Sequence, residues 1–286
     1  MKSCYLCGHE EFDTLPGKVR DKPELGIRKC RACGLVCLDS FDHIQPGYYS
    51  SAYTEQNHPD QGWQHFLNES RRDDARRATQ LLPLVTNRRY LDVGCGGGGV
   101  LLELREHCAS AAGVEPQVFW RKHLQSAGVT MHAELDELDP RSQDVISLFH
   151  VLEHVPDPIP FLRAIRDKLD HNGALVIEVP NADDALLGLY RCKPFSEFTY
   201  WSPHLFLYNP STLRKLLVKA GISGEIAIVQ YQRYPLSNHL MWLARGKPGG
   251  HQVWSFLDSP ELDAAYAARL AALGCCDTLI ATAYIQ

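Results

Sequence analysis

The stretch Arg89-Tyr-Leu-Asp-Val-Gly-Cys-Gly-Gly-Gly-Gly-Val100 decides how the rest of the chain is read. It opens on a short apolar run, Tyr90-Leu91-Asp92-Val93, with strand character. Glycines break that run, and Val100-Leu101-Leu102-Glu103-Leu104-Arg105 resumes with helical apolar spacing. The pattern is strand, tight turn, helix. Glycine tolerates φ > 0 and lets a ligand approach bare backbone. The new helix points unpaired N–H groups and the positive end of its dipole at the same place. Asp92, at the strand end, can anchor the turn or a ligand's polar groups. A glycine run alone also fits a plain structural loop, so the context has to decide.

The context is Ala111-Ala112-Gly113-Val114, a second strand-like run that ends in Glu115-Pro116. An acid about 20 residues past a glycine loop is the usual partner of ribose hydroxyls in a βαβ nucleotide fold. The loop differs from the dinucleotide fingerprint, because Asp92, Gly94, Gly96 and Gly98 alternate. This acid-x-Gly-x-Gly-x-Gly spacing resembles the first motif of class I S-adenosylmethionine (SAM) methyltransferases, and the resemblance runs from about Tyr90 to Gly221. It implies a Rossmann-like α/β fold with a seven-stranded, mostly parallel sheet. Counting Tyr90–Val93 as the first core strand, the implied order is 3-2-1-4-5-7-6, with SAM across the ends of strands 1 and 2. The cofactor contacts it implies are Asp92, Gly94, Cys95, Gly96, Gly98, Glu115, Pro116, Glu134, Phe149 and Tyr53.

The chain has 286 residues, 45% hydrophobic and 22% charged, which suits one substantial soluble domain with a small accessory one. A net charge of −5 argues against a broadly basic nucleic-acid surface. No stretch approaches the roughly 20 apolar residues that span a bilayer. Met1-Lys2-Ser3-Cys4 opens without a signal-peptide apolar region, so a cytoplasmic address is expected, where thiols stay reduced. The ten cysteines therefore read as metal ligands or core residues.

Cys4-Tyr-Leu-Cys7-Gly8 and Cys30-Arg-Ala-Cys33-Gly34 are two knuckles. Each turns two thiolates toward one point, and together they complete a tetrahedral sulfur site for zinc. With all four positions filled by protein, that zinc is expected to be structural. A segment of roughly 40 residues needs such a staple because its own core is small. Cys37 lies off the pattern and reads as a small buried hydrophobe. Residues 39–59 are polar and turn-rich, with Tyr48, Tyr49 and Tyr53, and fit either a linker or an aromatic lid over the cofactor. Residues 61–85 have helical spacing, and the charges Arg71-Arg72-Asp73-Asp74-Ala75-Arg76-Arg77 read as a solvated face. The expected division is a ribbon at 1–40, a lid and helix at 41–88, and a core at 89–286.

Asp144-Val-Ile-Ser-Leu-Phe149 is the fourth core strand, and His150-Val-Leu-Glu153-His154-Val-Pro156-Asp-Pro158 follows it. Alone, the H-x-x-E-H spacing matches an inverted zinc-protease motif. That reading is rejected, since the segment follows a buried strand and the prolines cut any helix short. It resembles instead the motif after the fourth strand in a methyltransferase group that includes the quinone O-methyltransferases. In those the first place of the triad is an acid, and the triad can hold a divalent cation; here that place is His150. Glu153 and His154 read as a structural pair, which leaves His150 as the active-site candidate. His204, in Ser202-Pro-His-Leu-Phe-Leu-Tyr-Asn-Pro210, resembles a substrate-facing position of the same group and is the fallback. His171-Asn172-Gly173 is expected to cap a helix, and Thr278 to Ile285 is expected to insert antiparallel as the seventh strand.

Before that strand, an insertion at about 232–276 is longer than a hairpin needs. Arg233, Lys247 and His251 are expected to grip an anionic group of the substrate, with Trp242 or Trp254 as a stacking face. A solvated loop, a salt bridge to Glu225 or Asp258, or a homodimer contact fits the same segment. The implied activity is methyl transfer from SAM to a small polar metabolite, a sugar, nucleotide-sugar or natural-product intermediate, at oxygen. An RNA methyltransferase using the ribbon to hold RNA and a non-catalytic SAM-binding scaffold are the alternatives.

Overall fold

The structure, a computed structural model, describes residues 2–45, 47–50 and 62–285; Tyr53, expected in the lid, lies outside the described residues. The first three strands are β1 (Phe12–Thr14), β2 (Ile27–Cys30) and β3 (Val36–Leu38). Five more follow: β4 (Arg89–Val93), β5 (Ser110–Val114), β6 (Thr130–His132), β7 (Gln143–Phe149) and β8 (Leu169–Pro180). The last three are β9 (Phe206–Leu207), β10 (Ile226–Tyr231) and β11 (Thr278–Tyr284).

The main sheet has the order β10-β11-β8-β7-β4-β5-β6, which is the expected one. Strands β6, β5, β4, β7 and β8 run parallel, and β11 inserts antiparallel between β8 and β10. Their near-continuous apolar runs follow from burial on both faces. One face is covered by helices Trp63–Val85, Gly99–Leu104 and Val118–Ser126, through Leu81, Val85, Leu101, Leu104 and Leu124. The other packs Leu148, Ile177 and Val179 against helices Pro158–Lys168 and Pro210–Lys219, through Leu162, Ile165, Leu213 and Leu216.

The N-terminal segment shares this second core. β3 pairs antiparallel with β9, so a small sheet β1-β2-β3-β9 takes its last strand from beyond residue 200. Leu35, Val36 and Leu38 bury with Leu205, Phe206 and Tyr208 in one cluster. The cysteine knuckles fold alike: the Gly8 N–H donates to the Cys4 carbonyl at 2.8 Å, and Gly34 N–H to the Cys30 carbonyl at 2.9 Å.

Three expectations are corrected. His171-Asn172-Gly173 lies inside the long β8 rather than capping a helix, because the ladder to β11 reaches back to Ala174 and the irregular start still pairs Leu169 with Gln143. The charged run 71–77 is only in part a solvated face: Asp74 and Arg77 are buried, Arg77 drawn in by a carboxylate on β8 and Asp74 held by Ser70 and Arg77. The insertion holds helices Leu236–Arg245, Gly250–Val253 and Pro260–Leu273, and within it Trp242 is 3% exposed against Phe195 and Phe198. Trp242 is a core residue there and offers no stacking face.

Candidate active site

The carboxyl ends of β4, β5 and β7 open into one cavity of about 490 Å³. One side is formed by Gly94, Gly96, Glu115, Pro116, Gln117 and Glu134. The other is formed by Tyr48, Tyr49, Val151, His154, Phe161 and Trp201, and His150 lies on the boundary between strand and loop. Backbone groups and acids line the first side, and aromatic rings and one imidazole line the second.

On the first side the three alternating glycines have different reasons to be glycine. A Cβ added to Gly96, which has φ +50°, would meet nothing within 4 Å, so its backbone is presented bare to the cavity. A Cβ at Gly94 would strike Val151 at 2.5 Å, and one at Gly98 would strike Leu124 at 2.4 Å. Those two serve packing. Glu115 is buried and its carboxylate accepts the N–H of Gly96 and of Gln117, each at 2.9 Å. Burial pushes this carboxyl up, and the two N–H donors act against that rise. Asp92 is buried behind the loop, where Ser147 donates to it at 2.7 Å and burial raises its carboxyl to about 7. Asp92, Cys95, Gly98 and Phe149 therefore sit behind the cavity lining, and Phe149 lies under the Arg77 guanidinium at 4.9 Å. The buried Glu115 carboxylate, held in place by these two N–H donors, fits the ribose hydroxyls of SAM, which need an acceptor, and the missing Cβ at Gly96 leaves room for the cofactor beside it.

The second side rests on a charged network that local spacing did not reveal. Glu178, two residues from the carboxyl end of β8, is 0% exposed. It accepts from Arg76 at 2.8 and 3.0 Å and from Arg77 at 3.1 and 2.6 Å. His150 approaches it through Nε2 at 3.3 Å and approaches Glu153 through Nδ1 at 3.1 Å. Burial alone would lower His150, yet the two carboxylates outweigh it and raise the imidazole above its usual value. Glu153 sits at about 2: burial acts upward, and His150 overcomes it. His150 also has φ +56°, an uncommon conformation outside glycine that this network holds in place.

His154 behaves differently. Burial lowers it, so it is a neutral base near pH 7. Its Nδ1 lies 3.5 Å from the Tyr49 hydroxyl, and its ring faces the cavity. His204, pushed down by burial to about 3, stands edge-on to His154 at 4.8 Å and does not line the cavity. Glu153, His154 and His204 bring one donor atom each within 4.8 Å of one another.

The insertion residues are not gathered as expected. Arg233 pairs with Asp73 rather than Glu225 or Asp258, and its Nη1 lies 3.2 Å from His150 Nε2. Lys247 is exposed, His251 leans on Tyr234 at 5.4 Å, and none of the three lines the cavity. Glu178 had one signal in the sequence, an acid inside the apolar run Ala174-Leu-Val-Ile-Glu-Val179. At the other end, Cys4, Cys7, Cys30 and Cys33 bring their sulfurs within 4.8 Å of one another, with Cys4–Cys33 at 3.6 Å and Cys7–Cys30 at 3.5 Å. A tetrahedron with Zn–S near 2.3 Å has S···S edges of about 3.8 Å, so this donor set fits zinc.

A family profile described as a methyltransferase domain matches residues 64–224. The chain belongs to that methyltransferase family. A ubiquinone biosynthesis O-methyltransferase of Aeromonas salmonicida (strain A449) is 33% identical over 168 residues, which cover 53% of this chain and 69% of that protein. One of Actinobacillus pleuropneumoniae serotype 7 (strain AP76) is 29% identical over 131 residues, 41% of this chain and 55% of that protein. The chain thus spans about half the length of the latter relative. Among solved structures, a SAM-dependent methyltransferase from Archaeoglobus fulgidus superposes with a TM-score of 0.53 at 21% identity, over 77% of this chain and 99% of that one. One from Thermotoga maritima gives 0.52 at 16% identity, over 78% and 94%. At those identities the superpositions show the fold. Together with the family match they give a methyltransferase domain on this fold. Among the described residues no helix is long and apolar enough to cross a membrane.

Proposed function

We propose that this methyltransferase methylates a hydroxyl of a small, ring-bearing acceptor, with His154 as the general base. One observation carries the reading: the loop-and-acid side and the ring-lined side with His154 face each other across a single cavity. The cofactor supplies an activated methyl group on sulfonium. The chain's own task is placement, because bringing two reactants into line removes most of the entropic cost of meeting. The Gly96 backbone and Glu115 hold the cofactor, with Glu134 at the rim. Tyr49, Phe161 and Trp201 hold the acceptor ring.

A hydroxyl must lose its proton as it attacks, and a neutral imidazole near its working pH takes it. His154 is neutral and faces the cavity. His150 already has a carboxylate near each ring nitrogen and serves as a strut. The aromatic lining moves the acceptor away from the sugar nucleotides expected from sequence toward a planar natural-product ring. The O-methyltransferase names of the relatives support oxygen as the target.

The four cysteines hold one structural zinc in this reading, and the chain divides into a ribbon at 1–40, a lid and helix at 41–88 and a core at 89–286. The test is release of S-adenosylhomocysteine with a panel of catechols, hydroxybenzoates and sugar nucleotides. His154→Ala should lower kcat at least about a hundredfold with SAM affinity unchanged. Equal turnover in that variant, or turnover of the sugar nucleotides alone, would overturn the assignment.

A further inference from the structure

The ring-lined side of the cavity is held from outside by the N-terminal segment, and the role this gives the segment rests on that side being the acceptor site. Residues 197–205 contain no helix or strand, and their own backbone ties Trp201 and Pro203 through turns alone, the His204 N–H donating to the Trp201 carbonyl at 2.9 Å and the Leu205 N–H to the Pro203 carbonyl at 3.1 Å. Both line the cavity. The loop between β1 and β2 adds a set of ties from outside. The Arg20 guanidinium sits over two rings at once, 4.7 Å from Phe198 and 4.8 Å from Trp201. The Arg20 N–H donates to the Tyr200 carbonyl at 3.0 Å. Asp21 accepts twice from Ser202, from its backbone N–H at 2.9 Å and from its hydroxyl at 2.6 Å.

The approach is close enough to require glycine. A Cβ on Gly17, at φ +120°, would lie 2.7 Å from the Ser196 carbonyl and 3.1 Å from the Tyr200 ring. His43 adds a ring nitrogen 2.7 Å from the Ser202 carbonyl. The segment's far end is tied by the Leu38 N–H to the Leu205 carbonyl at 3.0 Å, where β3 meets β9. Beneath it, Trp201 packs edge-on to His154 at 6.4 Å and to His204 at 5.6 Å.

We propose that Arg20 and Asp21 are positioning residues that set acceptor specificity, by holding Trp201 and Pro203 against the cavity. The ribbon is then one wall of the acceptor chamber as well as a staple. The physical basis is preorganisation. A guanidinium stacked on an indole, and a carboxylate taking two hydrogen bonds, restrict one loop conformation without touching the cofactor side. The acceptor class this wall suits is a planar ring that stacks on the Trp201 face.

The experiment uses the full chain labelled with 5-fluorotryptophan, with the Trp201 resonance assigned through Trp201→Phe. S-adenosylhomocysteine affinity is measured by calorimetry, and 4-nitrocatechol is the acceptor probe. Arg20→Ala and Asp21→Ala should each shift or broaden the Trp201 fluorine resonance in the protein without acceptor. Each should raise the KM for 4-nitrocatechol about tenfold, with kcat and S-adenosylhomocysteine affinity within about twofold. Both side chains lie on exposed residues, so the variants should fold, and Arg20→Lys, which keeps the charge without the planar face, should fall between. A Trp201 resonance unmoved in both alanine variants overturns the proposal, whatever the turnover. If the wild type neither binds nor methylates 4-nitrocatechol, the acceptor reading fails, and the resonance alone still decides whether the ribbon holds the wall.

Discussion

Replacing Glu178 with glutamine should cost the fold about 3–5 kcal/mol, the usual penalty for breaking a buried ion pair by removing one charge. The carboxylate has no contact with water, and it takes four N–H groups from two guanidiniums and a fifth contact from His150. Glutamine keeps the shape but removes the charge, and it turns one acceptor into a donor that faces other donors. Arg76 retains Asp73 at 3.3 Å and Arg77 retains Asp74 at 3.5 Å, which places the cost toward the lower end. Arg77 is 9% exposed, so water does little to replace the lost partner.

An unfolding entropy near 2.1 cal/mol/K per residue gives about 0.6 kcal/mol/K for a chain of this length, so the midpoint should fall by about 5–8 °C in calorimetry at pH 7. The pH dependence fixes the mechanism. Burial would raise this carboxyl, but His150, Arg76 and Arg77 hold it far below its ordinary 4.5. A group depressed on folding stabilises above its unfolded value and loses that contribution as pH falls. The gap between wild type and Glu178→Gln should therefore narrow below about pH 4.5. A midpoint within about 1 °C of wild type at pH 7, or a gap that widens on acidification, would refute the network as a source of stability.

Three further outcomes are expected. Gly96→Val points its side chain into the cavity, so SAM binding should drop beyond calorimetric detection; unchanged affinity would remove the loop from the cofactor site. Elemental analysis should find one zinc per chain, lost or weakened in Cys30→Ser while most SAM affinity survives, and metal-free wild-type protein would sink the ribbon assignment. Burial, assisted by Asp277, raises Asp184 to about 8 from an ordinary 3.8, so this group favours folding below 3.8 and that contribution is lost as pH rises toward 8. Asp184→Asn keeps the acceptor for the Leu186 N–H at 2.6 Å, and it should stabilise the protein against urea at pH 9 and hardly at pH 4. A gain that is larger at pH 4 would contradict the burial argument.

The sequence by itself determined the frame. Spacing alone carries a strand that breaks into glycines and resumes as a helix, because backbone period and turn chemistry are local. The two cysteine knuckles were legible for the same reason, while the run of parallel strands and the antiparallel last strand came from the resemblance to a known methyltransferase fold. Glu115 was legible because a fixed crossover length brings its strand end beside the loop. What only the tertiary structure decided is which polar groups face each other across the chain. Arg76 and Arg77 read as solvated until Glu178, 102 and 101 residues away, is placed beneath them. His150 and His154 look alike in sequence, and the two carboxylates that raise His150 separate that strut from His154, which burial lowers and which lines the cavity. Arg20 and Asp21 gain meaning only when β3 pairs with β9 and brings the ribbon onto Trp201 and Ser202. Burial and partnership depend on packing between distant segments, and no local period encodes them.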